Sequence, residues 1–494
     1  MKDPATEGPA TKDPAAEGPA VEDPAVEDPA VEDPAVEDPA AEGSAGKDSA
    51  AENSAGKGPA VGGPAAESLT GKGSAGKGPL RDANFLRFWT AVTVSGIGSQ
   101  VTLMALPLTA LMVLHADPVQ LGLLTGLQYV PAVVVLPFAG VVADHWPAKL
   151  VNAGCDLARG LILLTVPIVT ATGVLSLGWL YGLGLAMGVF KALGDVAHHS
   201  MLPRLVGEEQ LVPGNAAVST SYSVIDVAGP GLAGLIVQLL GAPYALLVDA
   251  VSYLLSASLL STLKLRFSGR KGPQRLRWGT AITEGFRYFV KDRRVLAFGV
   301  ASGLGNMCIQ AFDVTILIYV VQHLALTPAL LGVVVAAGAV GGIAGSAFAA
   351  YVHNRFPAGP TIFAAQVMSG IGVMAAASAT LLDATAPRVA VLVACMFVST
   401  FALAVYNVHA ISARQAIVRP ELMGRVTASY RLISHGAIPL GALAGGVAAQ
   451  SLGSATTVLL TGTIQALLPV AFLLTSFGII YRDPGLAGAR ERQA

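Results

Sequence analysis

The chain has 494 residues, of which 53% are hydrophobic and only 13% charged, with a mean hydropathy of +0.61. A water-soluble protein of this size needs more charge to cover its surface, so a soluble globular fold is excluded. The formal net charge of −1 hides an asymmetry: residues 1–79 hold 6 Lys against 16 Asp and Glu, and the remainder holds 25 basic against 16 acidic residues.

From Lys2 the chain runs in pentads (KDPAT, EGPAT, KDPAA, EGPAV, then EDPAV three times) that drift as far as KGPL, and no aromatic residue precedes Phe85. Such a stretch buries too little apolar surface to offset the entropy of ordering, which predicts a disordered acidic repeat tail over residues 1–79. It lacks the basic and apolar segments of a cleavable signal peptide. Within it, Gly71–Gly78 reads GKGSAGKG but lacks the final Ser or Thr of a nucleotide-binding loop and belongs to the repeat.

Beyond the tail, apolar runs of about 20 residues recur, each long enough for a hydrocarbon core of ~30 Å. They fall at 88–113, 119–142, 149–172, 176–199, 213–239 and 243–265, then at 296–321, 329–352, 361–381, 388–411, 426–450 and 455–480. Helices satisfy every backbone group within one segment, and these runs are too long and unalternating for barrel strands. The expected fold is an all-α polytopic membrane protein of twelve transmembrane helices. One six-helix bundle spans residues 80–265 and a second 295–481, joined by a central loop at 266–294 and followed by a tail at 482–494.

Basic residues set the orientation. Arg81, Arg87, Lys149, Arg204, the cluster from Lys264 to Arg294, Arg355, Arg414, Arg419, Arg425 and the C-terminal arginines share one side, and the opposite loops hold Arg388 alone. The positive-inside rule then places both termini and the central loop in the cytoplasm, with the chain in the cell membrane. The halves are also related. A shift of 210 residues puts Pro118 on Pro328, Leu121–Gly122 on Leu331–Gly332, Phe138–Ala139 on Phe348–Ala349 and Pro147 on Pro357. A near-equal shift puts Leu232–Gly234 on Leu443–Gly445. Duplicated bundles with a midplane site between them suit alternating access.

Several stretches resemble the major facilitator superfamily, and within it the macrolide-efflux type of drug:proton antiporter. After the second span, Gly140, Asp144 and Lys149 match the superfamily loop motif, with His145 and Ala148 where arginines are usual. The fifth span carries Gly229-Pro230-Gly-Leu-Ala-Gly234, similar to the antiporter helix motif, with Ile225 where a glycine is usual. Asp249-Ala-Val-Ser252-Tyr253 resembles an element that opens the sixth helix in this branch. Asn407, Arg414, Gln415, Gly424 and Arg425 lie in a stretch that resembles the branch pattern from helix 10 into helix 11. The resemblance covers residues 81–480 and implies the major facilitator fold, with helices 1, 4, 7 and 10 lining a central cavity.

Charges within the spans are functional candidates because each costs roughly 2.5–3.5 kcal/mol to insert. Asp156 and Arg159 lie i,i+3, and Lys191 and Asp195 lie i,i+4, so the four can form a neutral locking network. Asp226 and Asp313 have no basic residue within a turn, and Asp313 extends a stripe with Asn306 and Gln310. A carboxylate in that setting can take up and release protons during transport, or simply donate one interhelical hydrogen bond. Asp249 is expected to hydrogen-bond near Ser252, while His409, and His435 lying i,i+4 from Arg431, read as hydrogen-bonded packing residues ahead of proton relays. The glycines at 338, 341, 342 and 345 read as close helix packing.

Cys155, Cys308 and Cys395 sit in apolar stretches without paired ligand spacing, so neither a disulfide scaffold nor a metal module is expected. No HExxH or GxSxG motif points to catalysis, and no ATP motif points to a primary pump. The expectation is a monomeric transporter without cofactor or nucleic-acid partner, surrounded by lipid and coupled to a gradient, most simply of H+. It would export a small amphiphilic molecule such as a drug, a macrolide-like antibiotic or a secondary metabolite. Alternatives are a siderophore or dedicated metabolite exporter and, of another class, a non-transporting sensor that uses the acidic tail.

Overall fold

Asp82 accepts hydrogen bonds from the backbone N–H groups of Asn84 (2.7 Å) and Phe85 (3.2 Å), and this N-cap starts the first helix, α1 (Ala83–Met112). The structure is a computed structural model whose described residues are 82–206, 210–264, 286–418 and 422–482; the side chains of residues 133, 136–145 and 199 are outside the description. The acidic tail, most of the central loop and the C-terminal tail therefore lie outside the described residues.

After α1 come α2 (Pro118–His145), α3 (Ala148–Ala171), α4 (Leu177–His199), α5 (Leu211–Leu240) and α6 (Ala242–Ser261). The second set is α7 (Arg293–Ile318), α8 (Pro328–Arg355), α9 (Ala358–Ala376), α10 (Thr385–Ile417), α11 (Met423–Leu452) and α12 (Ser454–Leu473). Residues 286–291 are already helical, so less of the 266–294 segment is loop than the charge pattern suggests. Asp292 then caps α7 through Arg294 N–H (2.9 Å), and Thr327 caps α8 with Pro328 in the first turn. Consecutive helices α5 and α6 are separated by Gly241 alone, and α11 and α12 by Gly453 alone. Both glycines have φ of +82°, a conformation open mainly to glycine.

Eleven helical segments among the described residues are long and apolar enough to cross a membrane. α2, with 28 residues, completes the set of twelve long helices. The expected spans differ from the helices mainly at their ends. α7 runs on into a π turn at Tyr319–His323 and α9 into a 3-10 turn at Ala377–Leu381. The last span, expected to reach residue 480, stops at Leu473; Ser476–Gly478 and Ile479–Arg482 form separate short turns. Hydropathy measures apolarity and so cannot see that break.

Within the first half α1 packs on α5 and α6, α3 on α4 and α6, and α2 on α4. The second half repeats the scheme, with α7 on α11 and α12, α9 on α10 and α12, and α8 on α10. The halves meet chiefly through α2 against α11 and α5 against α8. Large side chains such as Ile168 (62% exposed), Leu239 (72%) and Leu440 (63%) point outward, as lipid-facing residues should.

Candidate functional site

The two main contacts between halves contain crossings of bare backbone. A Cβ on Gly122 of α2 would stand 2.5 Å from the Ala442 carbonyl oxygen of α11, and one on Gly446 would stand 3.2 Å from the Gly122 Cα. In the other crossing, Gly332 of α8 faces the Pro230 carbonyl of α5, and a Cβ on Gly234 would stand 3.1 Å from the Gly332 Cα. Gly234 thus plays the part of Gly446, not of Gly445 as the sequence register implies; Gly445 packs on Ala311 of α7 instead. Both crossings lie at the end of the bundle where α2 and α8 begin with Pro118 and Pro328.

Beside these crossings, between the halves, lies a cavity of about 310 Å³. Gln100 and Met104 of α1, Thr125, Gln128 and Tyr129 of α2, and Pro230 of α5 wall one side; Gln310 and Asp313 of α7, Val335 of α8 and Met396 of α10 wall the other. Asp313 is the one charged residue among the described lining residues, and it is exposed to the cavity. No hydrogen bond or ion pair holds its carboxylate among the described residues. Gln310 lines the same cavity, but Asn306 leaves the stripe: its Nδ2 donates to the Ser434 carbonyl of α11 at 2.8 Å. One face of a helix can serve a neighbour at one turn and a cavity at the next.

Asp226 lies on an exposed position of α5 and accepts from Gln100 Nε2 at 3.3 Å. Gln100 connects it to the cavity. Gly229, of the Gly-Pro motif, makes room for that glutamine, because a Cβ there would approach Gln100 Cγ to 2.5 Å. Pro230 contributes its carbonyl to the α5–α8 crossing and also lines the cavity.

A second polar centre is buried inside the first half. Arg159 Nη2 donates to Asp156 Oδ1 (2.9 Å) and Nη1 to the Tyr253 hydroxyl (3.1 Å), while its guanidinium lies 4.6 Å from the Tyr253 ring centroid. Ser256 donates to Asp156 Oδ2 (2.7 Å), and Ser99 and Tyr253 share a hydrogen bond of 2.8 Å. Asp249, with no exposed surface, accepts from Thr102 (2.5 Å) and Ser252 (2.9 Å), as expected for the Ser252 partner. Gly98 leaves space for both Asp249 and Ser252. Lys191 and Asp195 form a pair at 3.2 Å with side chains 67% and 54% exposed, and Asp195 stays within electrostatic range of Asp156. The four charges thus form one buried and one exposed pair, because helical spacing sets the face of a residue but not its depth. These bonds tie α1, α3 and α6 together, although Arg159 Nε is buried without a hydrogen-bond partner among the described residues.

Lys149 donates to the Leu263 carbonyl at 2.7 Å, a cation at the C-terminal end of α6. The side chain of Asp144 and the surroundings of Gly140 lie outside the described residues. Arg414 is buried with its guanidinium 3.7 Å from the Tyr430 ring centroid, whereas Asn407, Gln415, Gly424 and Arg425 are exposed. His409 is buried, with Nδ1 against the Val405 carbonyl (2.8 Å), and His435 Nδ1 meets Ser434 Oγ at 3.1 Å. Among the described residues no group of three or more His, Cys, Asp or Glu could hold a metal. Sequence reasoning missed Gln100, Gln128, Tyr129 and Thr102, and the part that Tyr253 plays beside Arg159. A signal existed for Gln100, which a shift of 210 residues places on Gln310.

Residues 88–442 match the family profile described as Major Facilitator Superfamily. The chain is 26% identical over 419 residues to the multidrug efflux pump Tap of Mycolicibacterium fortuitum, covering 80% of this chain and 96% of that protein. It is 23% identical over 361 residues to the uncharacterised MFS-type transporter YvqJ of Bacillus subtilis (strain 168), covering 72% and 83%. Among solved structures it is similar to the nucleoside transporter NupG, with a TM-score of 0.61, 16% identity and coverage of 81% and 100%. An inward-facing bacterial homologue of the iron transporter ferroportin gives a TM-score of 0.61, 18% identity and coverage of 77% and 97%. At such identities the structural likeness shows the fold alone.

Proposed function

Because the chain belongs to the major facilitator superfamily, and is therefore a multi-pass membrane transporter, we propose that it exports a small amphiphilic molecule in exchange for protons. The observation that carries this reading is the cavity between the halves, whose one charge among the described lining residues is the carboxylate of Asp313. Substrate and proton compete for that carboxylate, so binding of one releases the other. Gln310 and Gln100 orient the bound molecule, and the apolar walls around Met104 and Met396 receive its body. With both termini cytoplasmic, as the basic residues favour, the two glycine crossings close the outer end of the path. Separation of α2 from α11 and of α5 from α8 would open it. The similarity to a multidrug efflux pump supports export over uptake.

The test is transport of a panel of dyes and drugs in inverted membrane vesicles with and without an imposed proton gradient. Gradient-driven accumulation that a protonophore abolishes, and that Asp313→Asn loses, is the expected result. Accumulation indifferent to the gradient across the whole panel refutes proton-coupled export.

A further inference from the structure

We infer that the central cavity is a site for a compact organic monocation, held at Asp313, and that it is too small for a macrolide. The inference rests on the export reading only in taking this cavity as the substrate site.

The argument starts from the near two-fold relation between the walls. The shift of 210 residues that relates the halves brings Gln100 onto Gln310, Met104 onto Val314, and Leu121 onto Leu331, all of them cavity residues. Carboxamides therefore stand on both sides of the cavity, Gln100 and Gln128 on one and Gln310 on the other. Charge breaks this symmetry at a single pair: Leu103 of α1 corresponds to Asp313 of α7, and both line the cavity. The described wall is a largely matched neutral surface plus one carboxylate.

That composition selects by charge. No Lys, Arg or His is among the described lining residues, so an anion meets a carboxylate with no compensating group. An uncharged ligand leaves the ionised carboxylate without an opposite charge, and a dication brings one charge too many. A monocation satisfies the carboxylate and leaves the cavity neutral. The carboxamides then fix the rest of the ligand. Gln100 turns its Nε2 to Asp226, which leaves its carbonyl oxygen for an N–H or O–H group of the ligand. Met104 and Met396 give polarisable, adaptable surface for an aromatic or aliphatic body.

Size narrows the class further. At about 310 Å³ the cavity lies at the lower limit of small-molecule sites, which run from roughly 300 to 1,000 Å³. A compact aromatic or alicyclic amine fills such a space, and a glycosylated macrolactone would extend well beyond it.

The probe is N-methyl-4-phenylpyridinium, titrated calorimetrically into the purified full-length protein, with its uncharged isostere 4-methylbiphenyl and with erythromycin as comparisons. Saturable binding of the cation is expected, weaker by roughly tenfold or more in Asp313→Asn, with no saturable binding of the other two. The double variant Leu103→Asp/Asp313→Leu moves the acid to the related position in the other half and is expected to recover the cation, which separates lost charge from lost fold. Unchanged affinity in Asp313→Asn overturns the inference, as does equal binding of the isostere, or a monodisperse double variant that fails to recover. Cation binding without proton-driven transport would instead overturn the export reading and leave this one standing. Proton-driven export of an uncharged probe with no cation binding would do the reverse.

Discussion

Gly446 of α11 meets Gly122 of α2 backbone to backbone, so closely that a Cβ on Gly446 would stand 3.2 Å from the Gly122 Cα. Gly234 and Gly332 repeat the relation between α5 and α8. The halves touch through carbonyl oxygens and Cα atoms there, and a side chain at either crossing acts as a wedge. Overpacking of this kind costs about 1–3 kcal/mol, enough to shift a two-state equilibrium substantially.

Gly122→Val and Gly332→Val are therefore expected to open this end of the bundle. A cysteine at Thr125, on the cavity wall one turn from Gly122, reports the change through a membrane-impermeant thiol reagent added outside intact cells. Faster labelling in both glycine variants is the expected result. Labelling at the unmodified rate would show that the crossings do not seal the cavity.

The buried pair of Asp156 and Arg159 makes a stability prediction. Removing one partner strands the other among Tyr253, Ser256 and the α1–α6 interface, at a cost of about 3–5 kcal/mol. Asp156→Ala and Arg159→Ala should each lower the thermal midpoint of the detergent-solubilised protein markedly. The double variant Asp156→Leu/Arg159→Met should recover much of the loss. The second half shows that the fold tolerates a neutral version: Gln366 and Ser369 lie 210 residues beyond Asp156 and Arg159, and Ser369 accepts from Gln465 of α12 at 2.9 Å. Additive losses in the double variant would rule out an ion pair as the source of the effect.

The contrast between these halves shows what the sequence discloses. Hydropathy located the long helices, and the repeated Pro118/Pro328 and Gly122/Gly332 pairs exposed the duplication, because both are properties of order along the chain. Asp313 and Gln310 were found because an acid in an apolar helix is conspicuous. The Thr102–Asp249 and Arg159–Tyr253 bonds join residues 147 and 94 positions apart, and no periodicity carries that information. Asn306 sits at the spacing of its stripe and Lys191 at the spacing of its pair, yet one bonds α11 and the other is exposed, since spacing specifies a face and neighbouring helices decide what it meets.

Asp313 and Asp226 are expected to behave differently in coupling. Asp313 faces the cavity without a partner among the described residues, whereas Asp226 is reached through Gln100. If substrate displaces a proton from Asp313, adding a transported substrate to the protein in weakly buffered detergent solution releases protons. Asp313→Asn should abolish that release, and Asp226→Asn should leave most of it. Equal loss in both would make Asp226 part of the same titrating unit, and no loss in either would remove the pair from coupling.

Gly229 provides the last prediction. In the Gly-Pro motif of α5 the glycine sits against Gln100 of α1, and a Cβ there would stand 2.5 Å from Gln100 Cγ and 3.0 Å from its Cβ. These atoms are close to the backbone of α1, so the glutamine cannot evade the new methyl by swinging its amide end alone. Gly229→Ala should displace the carboxamide from Asp226 and from the cavity, and lower transport without unfolding the bundle. Gln100→Ala should lower transport by removing the same carboxamide. The three atoms nearest to a methyl at position 229 all belong to Gln100, and shortening that side chain removes two of them. Gly229→Ala/Gln100→Ala should therefore be no worse than Gln100→Ala alone. This non-additivity, read as initial transport rates of the four proteins at equal abundance, distinguishes a seat for Gln100 from a requirement for backbone flexibility at α5. In the latter case the two losses would add.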